Sequence, residues 1–564
     1  MLRTKRADFS AIAERFGIDQ VTARVLRNRD ICTDEEIGLF LNGGFGDLYD
    51  EMLLPDIDKA AGIILSSIAA GEHIRVVGDY DIDGVCSVKI LQDGLKRAGA
   101  DADHVIPDRV RDGYGINLRM VEEAAADGVD LIVTCDNGIA AFDELKRARE
   151  LGLKVVVTDH HNIRQENGVD VLPEADAVVN AKRSCSGYPT TEICGAVTAW
   201  KLIRVLYGRL GISDDEWLEF LEFAALATVG DIMPLKGENR IIVKEGLKKI
   251  NNGYANMGLR KLIEASQLKE GAVNAYHIGY VIGPCINAGG RLENAEEALK
   301  LFLAEDEAEA EIMALHLRSL NEERKNLTER GTEAAFAMVD EKYADSKVIV
   351  VVVDGLHESL AGIVAGRVRE RYCRPTIVLT QGENCLKGSA RSIEAYNMFD
   401  GLSAVADLME KFGGHAKAAG LSIKEENVEE FRRRLNEGAS LKDEDFVNIL
   451  WIDAPMPVDY VSMGLVEEFK RLEPYGTDNE RPLFAEKGLR AERLQVLGRN
   501  RNALRFILRK SNGFSVGAIM FGDADALKAE IEKGQYVGIL YRPDINEFRG
   551  NRTLQIVVDD IVVS

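Results

Sequence analysis

Short apolar runs separated by amphipathic stretches set the pattern of the first part of the chain. Ile74-Arg75-Val76-Val77, Leu131-Ile132-Val133-Thr134, Val155-Val156-Val157-Thr158 and the run from Asp176 to Val179 have strand length, and helical spacing fills 120–126 and 143–150. Strands alternating with helices in this way, over 46 to 300, predict a mostly parallel sheet. Residues 306–342 contain no proline and one glycine, Gly331, and are rich in Ala, Glu, Leu, Arg and Lys. They predict one long helix or two stacked ones. A second α/β unit follows, with strands over 348–353 and 376–379, a helix over 362–370 and a strand at Leu421-Ser422-Ile423. Beyond 453 the pattern becomes short strands, at 493–496, 504–508, 515–519, 536–541 and 553–557. These fit an antiparallel barrel of the OB type. The expected organisation is a helical lead-in (1–45), a parallel-sheet lobe (46–305), a connecting helix (306–343), a smaller α/β lobe (344–452) and a barrel (453–564).

Three of the strand-like runs end in chemistry. Val76-Val77 leads into Asp79-Tyr80-Asp81-Ile82-Asp83-Gly84, Thr134 into Cys135-Asp136-Asn137-Gly138-Ile139, and Thr158 into Asp159-His160-His161. A single Asp after a strand is ordinarily a helix cap or turn residue, and a single His-His pair is ordinarily a surface or core pair. Carboxylates crowded without compensation repel one another and call for a cation. In open α/β sheets the carboxyl ends of parallel strands meet at a common crevice, so the three clusters can converge on one metal site. Hard oxygen donors with imidazole and no thiolate suit manganese or magnesium better than zinc.

Composition narrows the class. Apolar content is 46% over 564 residues, ordinary for a globular protein of several domains. No apolar run is long enough for a membrane span, and no apolar signal core follows Met1-Leu2-Arg3-Thr4-Lys5-Arg6, so a cytoplasmic protein without membrane contact is expected. The eight cysteines form no Cys-x-x-Cys pair, which argues against a zinc ribbon or redox motif. The net charge of −23 argues against indiscriminate nucleic-acid binding but leaves room for a local basic channel, because screening limits repulsion to about one Debye length.

The three strand-end clusters resemble the first three motifs of the DHH phosphoesterase family. Thr228-Val229-Gly230-Asp231-Ile232-Met233-Pro234-Leu235 resembles the fourth, and Gly413-Gly414-His415-Ala416-Lys417-Ala418-Ala419-Gly420 resembles the signature of the DHH-associated domain. The resemblance runs in family order from about residue 45 to the C-terminus and is strongest with the single-strand-specific 5′ to 3′ DNA exonucleases of that family. It makes 46–305 the DHH catalytic domain, 344–452 the DHH-associated domain and 453–564 a nucleic-acid-binding domain. It implies two ions, manganese with magnesium as the alternative. Asp136 would lie between them, Asp81, Asp83, His160 and Asp231 would complete the ligands, and Asp79 would be a weaker ligand. Asp159 would orient a ligand, and His161 would contact the scissile phosphate.

A second group, raised by the same resemblance, would read the strand's 5′-phosphate end: Arg109 and Tyr114 in the loop 107–115, Asn287 and Arg291 in Asn287-Ala288-Gly289-Gly290-Arg291, Ser389 and Arg391, and Gly414 with His415. Arginine suits phosphate because its planar fork donates two parallel hydrogen bonds. On the barrel, Arg505, Arg509, Arg549 and Arg552, with Arg499, Arg501, Lys510, Phe506 and Phe548, are expected to track phosphates and stack on bases. Expected partners are single-stranded DNA and, by resemblance, a single-stranded-DNA-binding protein and a RecQ-type helicase; the chain is expected to be a monomer. Two other readings are a DHH-type phosphodiesterase for short oligonucleotides or cyclic dinucleotides, against which the extra barrel argues, and a non-catalytic replication scaffold, against which the intact acidic motifs argue.

Overall fold

The computed structural model describes residues 1–548 and 550–564. In the first lobe β1 (His73–Val77), β2 (Asp101–Val105), β3 (Leu131–Cys135), β4 (Lys154–Thr158) and β5 (Ala177–Val179) pair in the order β2-β1-β3-β4-β5, all parallel. β1, β3 and β4 are buried on both faces, as strands covered by helices on two sides must be. The strand order reverses between β1 and β3, which opens a crevice at their carboxyl ends.

Strands were expected to continue to about residue 300. Instead, the chain from Gly195 to Met338 contains only helices. The Leu221–Gly230 helix shows why the pattern misleads: Leu221 to Thr228 are all buried, and a helix that is apolar all round loses the 3.6-residue signature that separates it from a buried strand. The 32-residue Glu307–Met338 helix connects the lobes.

In the second lobe β6 (Ile349–Val352), β7 (Thr376–Gln381), β8 (Leu386–Arg391), β9 (Met409–Gly414) and β10 (Ala418–Ile423) form a mixed sheet in the order β9-β10-β8-β7-β6. β11 (Phe484–Leu497), β12 (Ala503–Arg509), β13 (Ser515–Phe521), β14 (Val537–Phe548) and β15 (Asn551–Val563) follow in the order β11-β12-β13-β15-β14. β13 and β15 run parallel, and β14 pairs back onto β11. The sheet therefore closes into a five-stranded barrel of the OB type. At its entrance Gly476 and Asn479 bridge a tight turn, and the fully buried Asn479 donates to the carbonyls of Leu472 and Pro474, both at 2.8 Å.

The lead-in is not an independent unit. Its helices at Phe9–Phe16, Gln20–Asn28 and Asp34–Asn42 bury Ile18, Val25, Leu26 and Ile37 in one core with Val458, Phe484, Leu504 and Tyr541 of the barrel region. Arg240, in the catalytic lobe's Gly237–Asn251 helix, ties the pieces together. Its guanidinium donates to the carbonyls of Phe40 (2.9 Å), Leu472 (2.9 Å), Arg471 (2.9 Å) and Pro474 (3.4 Å) and lies 3.8 Å above the Phe40 ring. Among the described residues no helix is long and apolar enough to cross a membrane.

Because Leu26 is fully buried between lead-in and barrel, Leu26→Ala should cost about 2–5 kcal/mol. Denaturant unfolding followed through Trp451, near the start of the barrel, should show an earlier midpoint; an unchanged midpoint would show that the lead-in does not stabilise the barrel.

Candidate metal centre

Each carboxylate cluster sits at a strand end and is held by backbone donors. After β1 the chain turns into the Ile82–Arg97 helix, and Asp81 caps it: Oδ1 accepts from the N–H groups of Asp83 (3.0 Å) and Gly84 (3.2 Å). Asp83 points at the start of the Gly195–Leu210 helix, where its two oxygens accept from Gly195 N–H (2.7 Å) and Ala196 N–H (2.8 Å). The positive end of that helix favours the anion. Asp79 is 1% exposed and accepts from Gly115 N–H at 3.2 Å.

Asp136 directly follows β3 with φ of 59°, a left-handed conformation that costs energy outside glycine and marks a position the surroundings impose. The Tyr114 hydroxyl donates to its carbonyl at 2.6 Å. His160 Nε2 lies 3.0 Å from Asp136 Oδ1, 3.5 Å from Asp83 Oδ2 and 3.5 Å from Asp231 Oδ2. Asp231 follows the Leu221–Gly230 helix, and the next residue, Ile232, is β-branched, exposed and also left-handed, with φ of 59°. Three overlapping sets bring donor atoms within 4.8 Å of one another: Asp79, Asp81 and Asp136; Asp83, His160 and Asp231; and Asp136, His160 and His161.

The electrostatics show what this arrangement lacks. Burial, then the charges of Asp83, Asp81, Asp79 and Asp159, push Asp136 well above the usual carboxylate range. Burial and Asp81 do the same to Asp79, and burial with Asp83 and Asp81 lifts Asp231 to about 8. Without a cation these groups can share the site only by keeping protons. Burial holds His160 below its ordinary value, so it is a neutral imidazole suited to ligation. His160 Nδ1 and Asp231 Oδ2 are buried without hydrogen bonds. Oxygen-rich donors, one neutral imidazole and an unsatisfied carboxylate oxygen fit hard divalent cations.

The role expected for Asp159 changes. It orients His161 rather than the His160 that faces the other carboxylates: its Oδ1 lies 2.8 Å from His161 Nδ1, and it also accepts from the N–H groups of His160, His161 and Ile139. Burial alone would lower the His161 pKa, but the Asp159 hydrogen bond and the surrounding carboxylates raise it to about 9. Its side chain is 43% exposed, so a cationic imidazole stands at the open side of the cluster.

The residues expected to read the strand end divide. The Arg109 guanidinium lies 3.8 Å above the Tyr80 ring. Arg291 reaches the second lobe: its Nη1 donates to Ser359 O at 2.7 Å, and Ser359 Oγ donates back to Arg291 O at 2.9 Å. On β8, Arg391 Nη1 donates to Ser389 Oγ at 3.2 Å, and a Cβ on Gly362 would come within 2.7 Å of Arg391 Nη2. Ser389, Arg391 and the start of the Ala361–Tyr372 helix thus form one polar corner. Gly414 and His415 stand on the exposed β9–β10 hairpin. Asn287 and Tyr114 also brace the metal loops: Asn287 Oδ1 accepts from Ile82 N–H at 2.8 Å, and the half-exposed Tyr114 donates its hydroxyl hydrogen to the Asp136 carbonyl.

The barrel departs further from expectation. Phe506 is 1% exposed within the core and cannot stack on bases. Arg509 pairs with Glu492 at 3.0 Å, Arg552 with Glu467, Arg501 with Asp525, and Lys510 with Asp459 and Glu486. Acids on neighbouring strands, helices and loops neutralise these bases locally. Arg505 donates to Gln495 Oε1 at 2.8 Å, and Arg493, Arg499 and Arg505 make no ion pair among the described residues. Arg549 lies outside the described residues.

Three family descriptions match in order: DHH family, N-terminal domain, over 73–228; DHHA1 domain over 345–440; and RecJ OB domain over 452–560. The chain is 34% identical to the single-stranded-DNA-specific exonuclease RecJ of Bacillus subtilis over 98% of its own length and 69% of that protein's. It is 32% identical to the Haemophilus influenzae protein of the same name over 95% of each. The chain belongs to the RecJ family. A crystal structure of RecJ from Thermus thermophilus in complex with Mn2+ superposes over 100% of this chain and 79% of that one, with a TM-score of 0.85 and 28% identity. A Mg2+ complex of RecJ from the same source gives 0.77, with 27% identity over 99% of this chain and 77% of that one. Divalent-metal use by RecJ thus accords with the donor set found here.

Two supports of this RecJ-type site were not foreseen: the Gly195 and Ala196 N–H groups that hold Asp83, and Ser359 that clasps Arg291. Their work is done by backbone or by a lone serine far along the chain, and no local spacing reports it. Gly195 makes the first support testable, because a Cβ there would lie 2.7 Å from Asp136 Cβ. Gly195→Ala should displace Asp136 without removing any ligand and weaken Mn2+ binding by roughly 10- to 100-fold, the range for lost ligand support. Calorimetric titration reads the change; wild-type affinity would show that Gly195 does not set the position of Asp136.

Proposed function

We propose that this chain is a metal-dependent exonuclease that degrades single-stranded DNA from its 5′ end and releases 5′-mononucleotides, in DNA repair and recombination. The observation that carries the reading is the sharing of Asp136 between ligand sets at the strand ends of a RecJ-family chain. Asp79, Asp81 and Asp136 would hold one ion; Asp83, His160 and Asp231 would hold the second, with Asp136 between them and manganese preferred to magnesium. Two such ions supply Lewis-acid charge for the phosphoryl oxygens and a water acidic enough to attack near neutral pH.

The chain's own residues do the rest. His161, fixed by Asp159, would donate to an oxygen of the scissile phosphate and offset charge that grows in the transition state. Ser389 and Arg391, with Arg109, Arg291 and His415, hold the 5′-phosphate and set the first internucleotide phosphate at the metals. Breaking the P–O3′ bond leaves a 3′-hydroxyl on the released nucleotide and a new 5′-phosphate on the strand, so the next cycle meets the same end. The barrel, through Arg493, Arg499 and Arg505, holds the strand further on. A single-stranded-DNA-binding protein and a RecQ-type helicase would present such strands in the cytoplasm, and the protein acts as a monomer.

Two measurements test this reading. With Mn2+, a 5′-labelled single strand should lose its label at once as mononucleotide, while a 3′-labelled strand shortens gradually. Asp136→Ala should reduce both by a factor of about 1,000 or more, the several kcal/mol that metal catalysis supplies. A folded variant with near wild-type activity would remove Asp136 from the site. Arg391→Ala should lower the preference for phosphorylated over unphosphorylated 5′ ends by roughly 10- to 150-fold, the worth of a charge-assisted contact. An undiminished preference would place the end-binding site elsewhere.

A further inference from the structure

Asp231 differs from the other carboxylates of the metal centre. Asp79, Asp81 and Asp83 each accept from backbone N–H groups. Asp231 Oδ2 is buried without a hydrogen bond, so the main chain must place it. On the N-terminal side that main chain is the end of the Leu221–Gly230 helix, where Asp231 N–H donates to Ala227 O at 2.8 Å. On the C-terminal side the chain leaves through Ile232, and Met233 N–H donates back to Thr228 O at 3.0 Å. A left-handed φ of 59° persists in a β-branched residue such as Ile232 only where the surroundings hold it.

The next hold comes from the barrel domain. Leu235 N–H donates to Thr477 O at 2.9 Å. Leu235 is 2% exposed and belongs to the catalytic lobe's core, yet Gly476 closes over it: a Cβ on Gly476 would lie 2.6 Å from Leu235 Cδ1. Lys236 Nζ donates to Asp478 Oδ2 at 3.4 Å. The turn that makes these contacts is itself fixed. Gly476 and Asn479 exchange both backbone hydrogen bonds, each at 3.0 Å. The buried Asn479 amide donates to the carbonyls of Leu472 and Pro474, and Arg240, one helical turn past Lys236, donates to the same two. Residues 476–479 therefore grip 235–236, only four and five positions after a ligand. A chain that short has little slack, because the spacing of successive Cα atoms is fixed.

We infer that the turn Gly476–Asn479 is a positioning element of the metal centre: by holding Leu235 it fixes the course of the chain through Ile232 and so aims Asp231 at the ion it would share with Asp83 and His160. Gly476, Thr477 and Asn479 act through Leu235 and not on the ion itself. The barrel thus contributes to metal binding as well as to holding the strand, and a chain whose barrel is undocked has a slack metal centre. This deepens the exonuclease reading and rests on its metal site.

Calorimetric titration of the full chain with Mn2+ tests the inference. Gly476→Ala adds one methyl against Leu235, at a glycine whose backbone is not left-handed. It should weaken Mn2+ binding by about 10-fold, the lower end of the range for lost ligand support. The loss should fall on one binding step, because Asp79, Asp81 and Asp136 form a set without Asp231. Leu235→Val removes the Cδ1 that the methyl meets, so in that background Gly476→Ala should cost nothing. Asn479→Ala loosens the turn without adding an atom and covers the case in which Gly476→Ala does not fold. It should weaken Mn2+ binding likewise, and Leu235→Val should not repair it. Hydrolysis of a 5′-phosphorylated thymidine dinucleotide, which offers the barrel no further strand, should fall in Gly476→Ala at limiting Mn2+ and recover in excess. A turn that serves strand capture alone would leave Mn2+ affinity untouched. Wild-type Mn2+ affinity in either folded variant, or a Gly476→Ala loss equally large beside Leu235→Val, overturns the positioning role. If the wild-type chain binds no Mn2+, or binds it and releases no nucleotides from a labelled single strand, the exonuclease reading falls by itself.

Discussion

Crowded carboxylates are the constraint around which the catalytic lobe is built. Asp79, Asp81, Asp83, Asp136, Asp159 and Asp231 converge where β1, β3, β4 and the Leu221–Gly230 helix end. Close charges in a buried site repel strongly. The fold meets that repulsion partly by itself: Asp83 faces a helix start, Asp81 caps another, Asp159 pairs with His161, and Asp79 takes a backbone N–H. That relief is incomplete: Asp79, Asp136 and Asp231 still hold protons unless divalent cations replace them. The left-handed backbone at Asp136 and Ile232 answers the same need, since strain at these turns is tolerated where it fixes a ligand.

A compensating opposite charge lies across the cleft. Arg109, Arg291 and Arg391 make no ion pair among the described residues, and burial lowers the last two. On the proposed reading, a bound strand would offer its phosphates both to the ions that the acidic residues would hold and to these guanidinium groups. Such coupling explains how a chain of charge −23 can hold a polyanion without a broadly basic surface. Screening confines the repulsion of distant acids to about a Debye length, so the local field at the junction governs.

Barrel and catalytic lobe are held together differently. The lead-in helices share the barrel's core, and Arg240 saturates carbonyls from the lead-in and from the barrel entrance. Burial lowers Arg240 to about 9, and it makes no ion pair among the described residues. Its hydrogen bonds therefore offset the cost of a buried charge, and their directionality fixes how the barrel is mounted. A barrel fixed in this way can deliver a strand along a constant path.

Much of this was legible in the chain before folding was considered. Strand-length apolar runs ending in Asp79-Tyr80-Asp81-Ile82-Asp83, Asp136 and Asp159-His160-His161 determined a parallel sheet with metal ligands at its carboxyl edge, because a strand's burial and the residue that follows it are properties of contiguous residues. The proline-free stretch determined the connecting helix for the same reason. Tertiary structure alone decided which histidine faces the carboxylates and which faces Asp159, since adjacent side chains diverge and only the packed sheet says where each points. It decided that Phe506 is core and that Arg509 and Arg552 are neutralised, because the acids that meet these arginines, Glu492 and Glu467, come from elements that only the fold brings alongside. It also decided that Arg291 is clasped by Ser359 of the second lobe, because residues that far apart along the chain meet only when the fold brings the lobes together.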